Sequence, residues 1–201
     1  MEKNKGYTLV EMVIVIAIMA ILASLSIFSV GIIKDAKRSA AINTFDNQLS
    51  NCLVKTKAVS DKNVTDKELC MYIYKRTVGT KSNYCIKVGY EVTDGVQDIT
   101  KKDASNLPIV VGASLSYATA SADDTNWDAI LPKEVTDIVY TDATSSTSIG
   151  LGKIIKFNKS NGTVEDGAGT YTFYKNDTKD NGGTAYATIY LDEKTGNHYI
   201  K

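Results

Sequence analysis

The chain has 201 residues, with 23 Lys and Arg against 23 Asp and Glu, one histidine and three cysteines. That length holds one domain plus an anchoring segment. A formal charge of zero with no clustered Lys or Arg excludes the footprint of a nucleic-acid binder. With His198 as the sole histidine, no His- or Cys-rich metal spacing exists.

Residues 1–6 are short and polar, with Lys3 and Lys5 and no apolar stretch of their own. Lys-Gly-Tyr-Thr-Leu-Val-Glu occupies 5–11, and the next 22 residues, Met12 to Ile33, carry no charge. At 1.5 Å per residue this segment covers about 33 Å, against a hydrocarbon core of roughly 30 Å. A carboxylate at the mouth of such a segment, Glu11, is costly unless it has a partner. As a simple helix-start residue it would favour the positive end of the helix dipole. As a docking charge it would meet a cationic amine. An ordinary secretory signal loses its apolar region on cleavage. A cut after Gly6 would instead keep it and create an amine at Tyr7, one helical turn from Glu11.

The helix does not end with the apolar run. No proline precedes Pro108, and Gly31 is the only glycine between Gly6 and Gly79. From Lys34 the pattern turns amphipathic, with Ile42, Phe45, Leu49, Cys52 and Leu53 recurring at spacings of three and four on one stripe. The reading is one helix from about Tyr7 to Val59, with a transmembrane part over about 12–33. Its weakest stretch is 24–31, which holds Ser24, Ser26, Ser29 and Gly31.

Residues 60–201 read as a β-rich head. Ser60 to Asn63 looks like a break, and the Thr65/Glu68 capping-box spacing predicts a short helix through about Lys75. From Tyr84 onward, short Tyr-, Val-, Ile- and Thr-rich runs alternate with Gly, Asn and Asp clusters. They predict strands over 84–92, 108–111, 151–158, 170–175, 184–191 and 197–200. Asn161-Gly162 suggests a hairpin, and 192–196 the turn of a terminal hairpin. Residues 141–148 read as an exposed polar loop. His198 reads as an edge-strand residue facing solvent. Asp177, Asp180 and Asn181 lack the spacing of a calcium loop. No nucleophile elbow or phosphate-cradling loop occurs, so no enzyme and no cofactor is expected. Three cysteines leave at least one thiol free or intermolecular. In an exported protein Cys70 and Cys85 are a candidate disulfide; the alternative is that all three are small buried apolar side chains.

Gly6, Tyr7, Thr8, Leu9, Val10 and Glu11, placed between a basic leader and a long apolar helix, resemble the start of a type IV prepilin. The resemblance covers residues 3 to about 59 well and the head by general architecture alone. It implies an α+β fold, with the long helix packed on an antiparallel β-sheet. It also implies cleavage after Gly6 by a prepilin peptidase, N-methylation of Tyr7, and assembly through Glu11 and Tyr7 into a helical homopolymer by membrane machinery. The expected path runs from a single-pass precursor in the cytoplasmic membrane to a surface pilus for adhesion, motility or aggregation. Tyr7 stands where Phe is commoner and stays aromatic. Many relatives close the C-terminal region with a disulfide; no cysteine lies beyond Cys85, so that staple is absent here. Alternatives are a minor pilin, a type II secretion pseudopilin, or a monomeric membrane-anchored binding domain.

Overall fold

The computed structural model describes residues 7–58, 68–78, 81–92, 95–102, 108–112, 127–175 and 183–201. Among the described residues one α-helix, α1 (Leu9–Ala58), precedes twelve strands. By contacts the chain divides into two compact units, Met1–Lys37 and Arg38–Lys201. The described part of the first is Tyr7, Thr8 and α1 as far as Lys37, most of it apolar. No proline and only one glycine interrupt it, and the Ser24 hydroxyl finds its partner within the helix by donating to the Ile21 carbonyl at 2.7 Å.

The second unit holds the rest of α1 and two antiparallel sheets. The first sheet runs β4 (Pro108–Gly112), β3 (Gly95–Lys102), β2 (Lys81–Val92), β1 (Leu69–Val78), β8 (Lys153–Phe157), β9 (Val164–Asp166), with β5 (Ala129–Ile130) also paired to β2. The second runs β12 (His198–Ile200), β11 (Thr184–Leu191), β10 (Gly169–Lys175), β6 (Asp137–Thr141), β7 (Ser146–Ser148). The fold is α+β and pilin-like, with a long N-terminal helix and antiparallel sheets.

One core joins these layers. The stripe Ala41, Ile42, Phe45, Leu49 and Cys52 is buried against inward residues of both sheets, among them Ile73, Tyr84 and Ile86 from the first and Ile138, Tyr171, Phe173 and Ile189 from the second. Phe45 is the pivot: its ring lies 5.4 Å from Tyr171 and 5.2 Å from Phe173, the latter edge-on. Such pairs contribute about 0.5–1.5 kcal/mol each beyond area burial. The sheets also meet through a buried polar junction. Tyr84 donates its hydroxyl to the Asp137 carboxylate at 2.5 Å, Ser148 donates to the same oxygen at 2.6 Å, and the Ile138 amide donates back to the Tyr84 oxygen at 3.2 Å. Burial and the neighbouring carboxylate push the Tyr84 phenol well up, which keeps it a donor.

Two expectations need correction. The helix predicted from Thr65 to Lys75 does not form over its described residues; Leu69–Val78 is β1. Leu69, Met71 and Ile73 pack with the main core, while Cys70 and Tyr72 pack with Cys85 and Trp127 in a second buried cluster. A strand buried on both faces loses the alternation that would reveal it. The Cys70–Cys85 disulfide is also absent: all three cysteines are buried and none of them is in a disulfide. In the β1–β2 register Cys70 faces Gly89 while Cys85 faces Tyr74. The two thus sit four positions apart along the ladder, about 13 Å, beyond what a disulfide spans. Burial pushes the Cys70 thiol far above its ordinary range, so it is an inert apolar filler. The 141–148 loop is a hairpin between β6 and an exposed edge strand, β7.

The chain end is held without a staple. β11 and β12 form the expected terminal hairpin, and Ile189 and Leu191 are fully buried. The Val164 amide donates to the Glu193 carbonyl at 2.8 Å, tying this hairpin's turn to β9. Gly196 has φ +68°, and a Cβ there would lie 2.2 Å from the Gly162 carbonyl oxygen, so the two turns abut closely. A chain ended at Thr184 would lose two core side chains, each contributing about 1.5–3 kcal/mol, and one neighbour of β10. We predict that it loses cooperative near-ultraviolet melting; a melt at the full-length temperature would show the hairpin dispensable. Tyr84→Phe should destabilise by about 1–3 kcal/mol, because it strands buried partners at Asp137 and Ile138. A denaturant midpoint unchanged from the parent would refute that role.

Candidate functional site

The start of α1 is built by Thr8. Its carbonyl accepts the first helical bond from the Met12 amide at 3.2 Å, and its hydroxyl accepts from the Glu11 amide at 3.2 Å. Glu11 answers: its Oε2 accepts from the Thr8 amide at 2.8 Å and from the Thr8 hydroxyl at 2.9 Å. This is a reciprocal capping box, with Thr8 at the N-cap and Glu11 three residues on. Both Thr8 donors reach one carboxylate oxygen, and among the described residues no bond to Oε1 is formed. The carboxylate is therefore held in place with one oxygen open.

Around this cap the surface is apolar. Tyr7 is 82 % exposed and Leu9 81 %, and the side chains from Val10 through Leu25 that belong to large apolar residues are all about half exposed or more. None of this face is covered by another part of the unit. The helix is long and apolar enough to cross a membrane. A lone open carboxylate oxygen at the edge of such a surface favours a cationic hydrogen-bond donor over any neutral partner.

The structure thus brings Glu11 together with Thr8, and leaves Tyr7 outside the helix as an exposed residue. Gly6 lies outside the described residues. Thr8 as the partner of the carboxylate is the contact that the reading of Glu11 missed, although Thr-Leu-Val-Glu spells the capping-box spacing at a helix start.

His198 is corrected. It does not face solvent: its side chain is 10 % exposed, and Nε2 lies 3.1 Å from the Ser50 hydroxyl and 3.3 Å from the Asp46 carboxylate. Ser, His and Asp meet here, yet not as a relay. Both partners share Nε2, while Nδ1 is buried with no partner among the described residues. A nucleophilic triad needs the serine on one ring nitrogen and the carboxylate on the other. This contact fastens β12 to the head portion of α1. Among the described residues no set of His, Cys, Asp or Glu side chains is arranged to hold a metal. Asp177, Asp180 and Asn181 lie outside those residues.

The prokaryotic N-terminal methylation motif matches residues 1–27. No curated protein matches the chain. No solved structure matches it either. The matched segment contains the capping box and most of the exposed apolar helix, and it is the signature of the type IV pilin and prepilin family, which this chain carries at its N-terminus.

Proposed function

We propose that the chain is the structural subunit of a type IV pilus. It enters the cytoplasmic membrane as a single-pass precursor, is cut after Gly6 by a prepilin peptidase, is methylated on the Tyr7 amine, and is polymerised with copies of itself by membrane assembly machinery. The observation that carries this reading is the open Glu11 carboxylate at the mouth of an uncovered apolar helix, within the matched methylation motif.

The physics follows from burial. Lipid solvates the apolar face in the precursor, and sibling helices replace lipid in the filament. Because each environment satisfies that face, transfer between them supplies little net driving force, and packing and polar pairing set the specificity. The Thr8 cap satisfies Glu11 while the subunit waits. Cleavage creates the cation that Glu11 can take on its open oxygen, so only cut subunits offer the partner. In a low-dielectric core, removal of one member of such a pair costs about 3–5 kcal/mol by stranding the other. The intact Glu11 and a head of more than 130 residues favour a subunit of the filament body over a tip subunit or a small pseudopilin. Cellular adhesion, motility and aggregation are the uses such a filament serves.

Two measurements test the reading. Mass spectrometry of the mature protein should find an N-terminal peptide that begins at Tyr7 with a methylated amine; a peptide that begins at Met1, or a cut after Ala23, would end the prepilin reading. Glu11→Gln should still insert and still be cut, and it keeps the capping box because an amide oxygen accepts from Thr8 as well. It should nonetheless enter filaments as poorly as Glu11→Ala. Normal filament numbers from Glu11→Gln, with loss only in Glu11→Ala, would leave the carboxylate a helix cap and nothing more.

A further inference from the structure

Five side chains form one cross-strand row on the second sheet. Ser146 faces Thr141, Thr141 faces Thr170, Thr170 faces Tyr190, and Tyr190 faces Tyr199. The row lies on the face opposite the core residues Tyr140, Tyr171 and Ile189, since neighbours along a strand point to opposite sides. At the end of the sheet the row opens into a cleft of about 260 Å³, lined by Thr141, Asp142, Gly169, Thr170, Tyr190 and Glu193 among others.

The cleft is preformed. Asp142 Oδ1 accepts from the Thr144 amide and hydroxyl at 2.7 and 2.8 Å and from the Ser145 amide and hydroxyl at 2.8 and 3.2 Å, so one wall is fixed. The Thr144 amide and hydroxyl and the Ser145 amide hold this carboxyl down at about 2, so it is ionised. On the other side Asp192 ties the turn that carries Glu193, through the Lys194 and Thr195 amides at 2.7 and 3.1 Å. Gly169 has φ +141°, and a Cβ there would lie 2.5 Å from the Thr141 carbonyl oxygen. Close approach of these strands at the cleft thus depends on glycine.

The chemistry of the lining selects a ligand class. Two carboxylates repel anions and accept hydrogen bonds from hydroxyl groups. Two threonines offer both donor and acceptor. The half-buried Tyr190 ring, paired with the exposed Tyr199 ring at 5.1 Å, presents an electron-rich aromatic surface. The Lys201 ammonium lies 6.0 and 5.5 Å from those two ring centres, at the outer reach of a cation–π contact. A pyranose ring has hydroxyls around its rim and a C–H face, which meets both demands together. The volume lies just below the range of drug-sized pockets, roughly 300–1,000 Å³, and so suits one ring. We propose that this cleft binds the neutral terminal sugar of a glycan, with Asp142 and Glu193 accepting from its hydroxyls and Tyr190 against its C–H face. The site lies wholly in the head and does not depend on assembly.

Saturation-transfer NMR on the full-length chain in a zwitterionic detergent tests this, with methyl glycosides of galactose, glucose, mannose and N-acetylglucosamine as probes. Sialic acid and butylammonium serve as an anionic and a cationic control. At least one neutral glycoside should bind saturably in the millimolar range, and sialic acid should not. Glu193→Gln, in an exposed turn, and Asp142→Asn, which keeps the Oδ1 acceptor, should each weaken that binding about tenfold through loss of a charge-assisted bond. Saturable binding of butylammonium with none of a neutral glycoside, no binding of any probe, or binding indifferent to both substitutions would overturn the proposal. Unchanged melting of both variants confirms that they report on the site.

Discussion

The constraint on which the rest depends is the exposed apolar surface of the first half of α1. Met12 to Ile33 is uncharged, and its described large side chains remain about half exposed or more. Burial of apolar surface is worth roughly 25 cal/mol per Å², so such a helix cannot rest in water and must have lipid or other helices around it. The segment therefore fixes where the chain can exist before any question of specificity arises. The cap at its mouth has a matching logic. A bare carboxylate at an apolar boundary is costly, and Thr8 lowers that cost locally while one oxygen stays open to a further donor.

The head answers a different problem: how to bind the second half of the same helix into a fold without a covalent staple at the chain end. Phe45 inserts between the aromatic rings of β10, so the helix stripe and both sheets share one core. The terminal hairpin is then held from three sides. Ile189 and Leu191 enter the core, His198 reaches Asp46 and Ser50 on the helix, and the Glu193 carbonyl takes the Val164 amide. None of these is strong alone. Together they couple the last strand to the helix and to the first sheet, which is the role a disulfide would otherwise fill.

The helix was legible because an apolar run without proline, followed by a three-four stripe, has few other readings. The strands over 84–92, 170–175 and 184–191 were legible because β-branched and aromatic residues stand between turn clusters. β1 was not, because burial on both faces erased its alternation and the Thr65/Glu68 spacing mimicked a cap. β6 was missed as well: Asp137-Ile-Val-Tyr-Thr begins with a buried carboxylate, whose Oδ1 accepts from Ser148 in the next strand and from Tyr84, far earlier in the chain. At the site, the charge of Glu11 could be read from its isolation, whereas its bonding to Thr8 needed the helix start to be placed. His198 turned inward for the same kind of reason, since its partners lie about 150 residues away on the helix.

In the proposed filament the apolar helix is buried by copies of itself outside the membrane. The most direct measurement is to shear the surface of intact cells, sediment the released polymer and determine which chain dominates it. A pilus subunit is expected as the main component of a sedimenting filament. Retention of the chain in the membrane fraction as separate molecules, with none in the sheared polymer, would contradict it and leave a membrane-anchored monomer.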